Sequence, residues 1–173
     1  MYKNIRTLTY AAAIAAAYVV LTAVFAPIGF GAVQFRVSEA LTVLPFFLPA
    51  AVPGLFAGCL VSNLLFSTPL DAVVGSLTTL AAAFWVSRMK HRWLAPLPTA
   101  LLNGIFVGAV ITYTSAGLTA ASLPVFAWTA CTVALGEVGV GYLLGMPLLL
   151  GAAKWFGRIP EKGETHGRNA HHK

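Results

Sequence analysis

The chain has 173 residues, of which 58% are hydrophobic and only 9% are charged. Soluble domains carry about 25% charged residues, so this chain has too few of them to coat a globule that faces water. Its net charge of +6 comes from Lys and Arg residues that flank the apolar segments, which excludes a nucleic-acid-binding surface. We therefore predict an all-α integral membrane protein, because helices satisfy their backbone hydrogen bonds internally in hydrocarbon.

Six apolar segments follow one another along the chain, and each is predicted to cross the bilayer, which takes roughly 20 residues per crossing. The predicted spans are 6–26, 35–49, 53–66, 70–87, 96–114 and 124–155, with loops at 27–31, 88–92 and 115–122. Residues 1–156 thus form one transmembrane domain. The polar tail, 157–173, is predicted to be disordered.

The second and third spans are short, and Pro45, Pro49 and Pro53 crowd their junction. Such segments are compatible with two short, tilted crossings or with one re-entrant hairpin. Two crossings put all of the 11 Lys and Arg residues except Arg36 on the same side. The positive-inside rule makes that side cytoplasmic. We therefore favour a six-helix bundle with both termini in the cytoplasm.

Few ionisable residues lie inside the predicted spans. Between Thr7 and Ser87 they are Arg36, Glu39 and Asp71, and between Trp93 and Ala153 only Glu137 is present. A charge at a helix centre costs about 2.5–3.5 kcal/mol on insertion scales, so such residues usually face the bundle interior and serve a ligand or an ion. The predicted substrate-binding residues, with nearby amide and aromatic groups, are Phe30, Gln34, Phe35, Arg36, Glu39, Asn63, Asp71 and Glu137.

Structural roles compete with this interpretation. Arg36 and Glu39 are three residues apart on one helix face and are able to pair with each other. Asp71 is placed to cap the fourth span or to lie in its first turn, and Asn63 and Asn103 suit hydrogen bonds between helices. Glu137 has no local partner in the sequence, so it is the strongest functional candidate.

Small residues recur at four-residue spacing, which is typical of closely packed membrane helices. Gly54/Gly58, Gly104/Gly108 and Gly141/Gly145 follow this pattern. The first span has a smooth alanine surface, which favours either packing within the bundle or docking to another membrane protein. Its alanines are Ala11, Ala12, Ala13, Ala15, Ala16 and Ala17. Cys59 and Cys131 lie inside apolar segments, which favours buried packing over a disulfide. We expect no metal and no cofactor.

Three stretches of the sequence resemble the QueT family of proposed queuosine-precursor transporters. They are the run 31–45, which contains Gln34-Phe35-Arg36-Val37-Ser38-Glu39-Ala40-Leu41, the run 53–59 with Asn63, and the run 71–80. The resemblance covers residues 5–155. It implies a six-helix substrate-binding S component of an energy-coupling-factor (ECF) importer in a bacterial cell membrane, with a 7-deazaguanine ligand such as 7-aminomethyl-7-deazaguanine.

The resemblance also implies partners. These are a transmembrane coupling subunit, on which the alanine-rich first helix docks, and two ATPases, so that the chain itself is not an enzyme. Alternatives are a stand-alone secondary carrier, an S component for another small solute, and a membrane enzyme that uses Asp71 and Glu137 as acid and base. The absence of a metal cluster or a repeated carboxylate motif argues against the enzyme.

Overall fold

A computed structural model describes residues 2–29, 34–117 and 119–155, and within these ranges the chain is helical with no strand. Its elements are α1 (Tyr2–Gly29), a 3₁₀ helix (Val37–Phe46), α2 (Ala51–Phe66), α3 (Pro69–Arg88), α4 (Leu97–Ala116), α5 (Leu123–Val140), a π-helical turn (Gly141–Gly145) and α6 (Met146–Trp155). Short 3₁₀ turns, Arg92–Leu94 and Ala120–Ser122, precede α4 and α5. The predicted tail and Phe30 lie outside the described residues.

Helical stretches of two lengths make up the bundle. Within the described ranges, four are long and apolar enough to cross a membrane, namely Ile5–Gly29, Pro69–Arg88, Arg92–Ala116 and Ala120–Ala153. They coincide with the first, fourth, fifth and sixth predicted spans. Val37–Phe46 and Ala51–Phe66 are apolar but shorter. The all-helical class is therefore confirmed, whereas six full crossings remain a proposal.

Helices α1 and α2 run parallel. Gly54 lies against Ala11, and four residues later Gly58 lies against Ala15. A Cβ atom on Gly54 would be 3.0 Å from the Cα of Ala11, and one on Gly58 would be 3.1 Å from the Cα of Ala15. Near the other end of α1, the Phe35 amide donates to the Ile28 carbonyl at 3.3 Å. The chain between Phe35 and α2 therefore returns along α1 from the level of Ile28 to that of Ala11, which is about 26 Å at 1.5 Å per residue.

The 3₁₀ helix lies at the centre of the bundle. It contacts α1, α2, α3, α5, the π-helical turn and α6, and every residue from Ser38 to Pro45 is buried. The regular part of the predicted span 35–49 is a 3₁₀ helix of 10 residues, so the expectation of an α-helix was wrong there. A 3₁₀ helix is tighter than an α-helix and aligns residues three apart, so Glu39 and Thr42 share one face. The Thr42 hydroxyl bonds both to the Glu39 carbonyl and to the Thr99 hydroxyl of α4.

Glycine contacts bring the helices close together at all three predicted small-residue pairs. Beyond the α1–α2 contact, Gly104 and Gly108 lie against Ala134 and Ala130 of α5. Gly141 lies against Pro96, and Gly145 lies against Ala40 and Val43 of the 3₁₀ helix. A larger residue at these positions would separate the backbones. These pairs therefore pack the bundle itself, as the sequence pattern predicted.

Candidate ligand-binding site

Polar side chains from six elements meet inside the bundle, namely α1, the 3₁₀ helix, α2, α3, α4 and α5. The structure buries each predicted site residue that it describes apart from Phe35, which is half-buried. The exposed fractions are 8% for Gln34, 5% for Arg36, 1% for Glu39, 2% for Asn63, 4% for Asp71 and 2% for Glu137. Burial of a charged group is costly unless it is paired or hydrogen-bonded, so their partners define the site.

Arg36 joins the start of the 3₁₀ helix to the start of α3. Its Nη2 donates to Asp71 Oδ2 at 2.8 Å, and the Ser67 hydroxyl donates to the same oxygen at 2.7 Å. Thr68 is the N-cap of α3 and accepts from the Asp71 amide at 3.2 Å. Asp71 thus lies in the first turn, as one interpretation of the sequence held, and it is also the ion-pair partner of Arg36.

Asn63 ties α2 to α3 beside this ion pair. Its Nδ2 donates to the Asp71 carbonyl at 3.2 Å and lies 3.4 Å from Cys59 Sγ. This is the interhelical hydrogen bonding that the sequence suggested. Cys59 is buried and reduced, whereas Cys131 is on the exposed surface of α5, so buried packing is wrong for Cys131.

Glu39 is held by residues that the sequence did not single out. The Tyr18 hydroxyl of α1 donates to Glu39 Oε1 at 2.5 Å, and the Thr79 hydroxyl of α3 donates to it at 3.2 Å. The second oxygen, Oε2, is buried and has no hydrogen-bond partner among the described residues. Tyr18 and Thr79 lie in apolar segments of the sequence. The sequence alone does not show that their hydroxyls contact Glu39.

Glu137 of α5 pairs with Asn103 of α4. Asn103 Nδ2 donates to Glu137 Oε1 at 2.9 Å. This fixes the orientation of the amide, because a carboxylate oxygen accepts this hydrogen bond and the amide oxygen is unable to donate it. Asn103 Oδ1 and Glu137 Oε2 are both buried, and neither has a partner in the described part of the chain. The pair therefore presents two acceptor oxygens.

Glycines of α5 allow the chain before the 3₁₀ helix to lie beside Glu137. A Cβ at Gly136 would collide with the backbone oxygen of Gln34, and one at Gly139 would be 3.3 Å from the Phe35 ring. The chain just before Arg36 therefore lies against the two glycines of α5 that flank Glu137. One polar cluster thus contains Gln34, Arg36, Glu39, Asp71 and Glu137.

A separate cavity of about 370 Å³ opens where α4 and α5 are connected. Its lining residues are Ala109, Thr112, Thr119, Ala120, Ser122, Leu123 and Phe126. None of them belongs to the polar cluster, and the lining offers no ionisable group. The chemistry therefore assigns the candidate site to the polar cluster.

The six alanines of α1 divide between two surfaces. Ala11 and Ala15 pack against Gly54 and Gly58 of α2, as described above. The other four are exposed on the outside of the bundle, namely Ala12, Ala13, Ala16 and Ala17. One set of alanines therefore packs within the bundle. The other set is exposed and is available for docking to another membrane protein.

The family of the chain follows from its sequence over almost the whole bundle. The model of the QueT transporter family matches residues 8–154. The chain belongs to the QueT transporter family. This confirms the resemblance found in the sequence, and the apolar helices agree with a membrane protein.

The chain is similar to the queuosine precursor transporter QueT of Lactococcus lactis subsp. cremoris (strain MG1363). It is 42% identical over 71 residues, which cover 40% of this chain. The same match spans 42% of the relative's length. No solved structure matches the chain.

Proposed function

We propose that this protein is the substrate-binding membrane subunit of an ATP-driven ECF-type importer. Its substrate is a queuosine precursor of the 7-deazaguanine class, such as 7-aminomethyl-7-deazaguanine. The QueT family membership and the name of the Lactococcus relative support the transport of a queuosine precursor. The proposal assigns energy coupling to a transmembrane coupling subunit and ATP hydrolysis to two ATPase subunits.

The Glu137–Asn103 pair is the observation that carries the proposal. A guanine-like edge presents N1–H and N2–H as adjacent donors, and it needs two acceptors on the protein side. Glu137 Oε2 and Asn103 Oδ1 are buried acceptors on side chains already hydrogen-bonded to each other. A ligand edge with two donors would satisfy both, which matters because an unsatisfied buried acceptor costs about 1–3 kcal/mol.

The remaining residues of the cluster complete the proposed recognition. The O6 atom of the base requires a donor, and the amide of Gln34 or the guanidinium of Arg36 is suited to provide it. Phe35 offers an aromatic ring beside α5 on which the base would stack. Asn63 contributes indirectly by holding α2 against the α3 turn that carries Asp71.

Calorimetry on purified protein tests the substrate. We expect 7-aminomethyl-7-deazaguanine to bind, and Glu137→Gln to weaken binding by about tenfold to more than a hundredfold, since the substitution replaces an acceptor with an amide donor. Glu161→Gln, the same change in the polar tail, serves as the control and should bind like the wild type. Equal affinity of the Glu137→Gln variant would remove Glu137 from the site.

Co-purification from native membranes tests the energy source. We expect a transmembrane subunit and two ATPases to accompany the tagged protein. The exposed alanines of α1 are the proposed docking residues, because a smooth helix surface allows close approach of another helix. Uptake that persists in cells lacking these ATPases would instead support a stand-alone secondary carrier.

A further inference from the structure

Acidic residues outnumber basic residues inside the predicted spans. Within the predicted spans, the single guanidinium of Arg36 stands against the carboxylates of Glu39, Asp71 and Glu137. The imbalance holds however these groups pair with one another. A buried carboxyl group without a counter-charge either binds a proton or pairs with a cation, so a cation that enters the site with the ligand would take the place of that proton.

The buried oxygens without a partner also favour a ligand rich in donors. Among the described residues, they belong to the side chains of Gln34, Glu39, Ser62, Asp71, Asn103 and Glu137. Apart from the Ser62 hydroxyl, these are carbonyl or carboxylate oxygens, which accept hydrogen bonds. Each of these residues is more than nine-tenths buried. A protonated amine supplies both the positive charge and several N–H donors.

Glu39 is the carboxylate best suited to receive that amine. Asp71 already pairs with Arg36, and Glu137 forms a two-acceptor pair with Asn103 that suits a flat base edge. Glu39 Oε1 is held by Tyr18 and Thr79, which leaves Oε2 as a single, fixed acceptor. The 3₁₀ helix that carries Glu39 is packed on all sides, so the position of this oxygen is set by the bundle.

We infer that Glu39 is the counter-ion of a protonated amine on the ligand, and that the site selects an amine-bearing 7-deazaguanine over a neutral one. This inference rests on the proposed function and adds the charge of the substrate to it. A neutral nitrile in the same place has only an acceptor nitrogen. This nitrogen and the ionised Glu39 Oε2 would repel each other, because neither carries a hydrogen to donate. Tyr18 is then a positioning residue, because it acts on the ligand through Glu39.

The test compares two ligands by calorimetry on the full-length purified protein. They are 7-aminomethyl-7-deazaguanine, which is a cation at neutral pH, and 7-cyano-7-deazaguanine, which is neutral. We expect the wild type to bind the amine roughly tenfold to a hundredfold more tightly than the nitrile, which is the range for a charged hydrogen bond. Glu39→Gln should abolish this preference by weakening the amine alone.

Glu137→Gln is the matched variant, since it makes the same change to another buried glutamate of the cluster. It should weaken both ligands and keep most of the preference, because Glu39 still faces the amine. Tyr18→Phe removes the donor to Glu39 Oε1 and should reduce the preference without affecting the nitrile. This second variant decides the question if Glu39→Gln does not yield folded protein.

The outcomes separate the inference from the function on which it rests. Equal binding of both ligands by the wild type would overturn the charge selection and leave the 7-deazaguanine assignment intact. A Glu39→Gln variant that retains the preference, or loses both ligands equally while folded, would also overturn it. If the wild type binds neither compound, the proposed substrate class fails, and the inference fails with it.

Discussion

Each buried carboxyl group of the cluster is stabilised by a side chain from another part of the bundle. Asn103 does this for Glu137, Tyr18 for Glu39 and Arg36 for Asp71. Buried charges require such partners because water is not available to solvate them. A residue that appears isolated in the sequence, as Glu137 does, therefore need not be isolated in the bundle.

Asn103→Ala tests this principle at a single residue. The substitution leaves Glu137 Oε1 without its donor, so we expect a loss of about 1–3 kcal/mol in stability together with weaker ligand binding. Thermal unfolding of the ligand-free protein measures the first effect and calorimetry the second. Thr112→Val is the control on the same helix, since that buried hydroxyl donates to the Gly108 carbonyl within α4. Wild-type stability and affinity in Asn103→Ala would refute a role for the pair.

Helix α1 presents different residues to the bundle and to its outer surface. Ala15 faces α2, where a Cβ on Gly58 would lie only 3.0 Å from the Ala15 carbonyl oxygen. Ala16, the next residue, is exposed. Tyr18 of the same helix reaches Glu39, so α1 also links the outer surface of the bundle to the candidate site.

Substitutions at two adjacent positions test the roles of the two sides of α1 separately. Ala16→Trp should leave folding and ligand binding unchanged but prevent co-purification with the coupling subunit, because bulk would keep the two helices apart. Ala15→Trp should instead destabilise the bundle, since the indole would have to enter the α1–α2 contact. Thermal unfolding, calorimetry and pull-down on both variants measure the difference. Normal co-purification of Ala16→Trp would exclude this surface as the docking site.

At the scale of the whole molecule, the parallel packing of α1 and α2 constrains the topology. Because α1 and α2 run in the same direction, the chain between them must run back from the end of α1 to the start of α2. Residues 35–50 do so. This return favours the predicted pair of short crossings over a re-entrant hairpin. The 3₁₀ helix itself extends only about 20 Å at 2.0 Å per residue, less than the roughly 30 Å of a bilayer core.

Cysteine labelling in intact cells tests the orientation. In a background without Cys59 and Cys131, single cysteines replace Lys90, which lies between α3 and α4, and Ser115, which lies in the last turn of α4. Both positions are exposed. The basic residues near Lys90 predict that this end is cytoplasmic. A membrane-impermeant reagent should therefore label the cysteine at Ser115 from outside and should reach the one at Lys90 only after lysis. Labelling of both positions in intact cells would contradict the six-crossing proposal.

The sequence alone identified most of the candidate site. Ionisable residues in apolar segments can be recognised from the sequence alone. They are rare there because burying a charge in a membrane is costly. Arg36, Glu39, Asp71 and Glu137 were found in this way, and the structure brings them into one cluster. The hydroxyl of Tyr18 was missed because its role depends on one contact with a residue 21 positions away in the chain.

The sequence by itself determined the membrane class, the helical segments and the family, since these depend on composition and on runs of neighbouring residues. Only the tertiary structure decided which groups pair, because the partners are far apart in the chain. Tyr18 and Glu39 are separated by 21 residues, Asn103 and Glu137 by 34, and Arg36 and Asp71 by 35. Helices that are apolar on all sides carry no pattern that tells which side faces a neighbour. The buried side, and with it the site, is fixed by close packing at glycines and alanines and by the few polar groups that must meet.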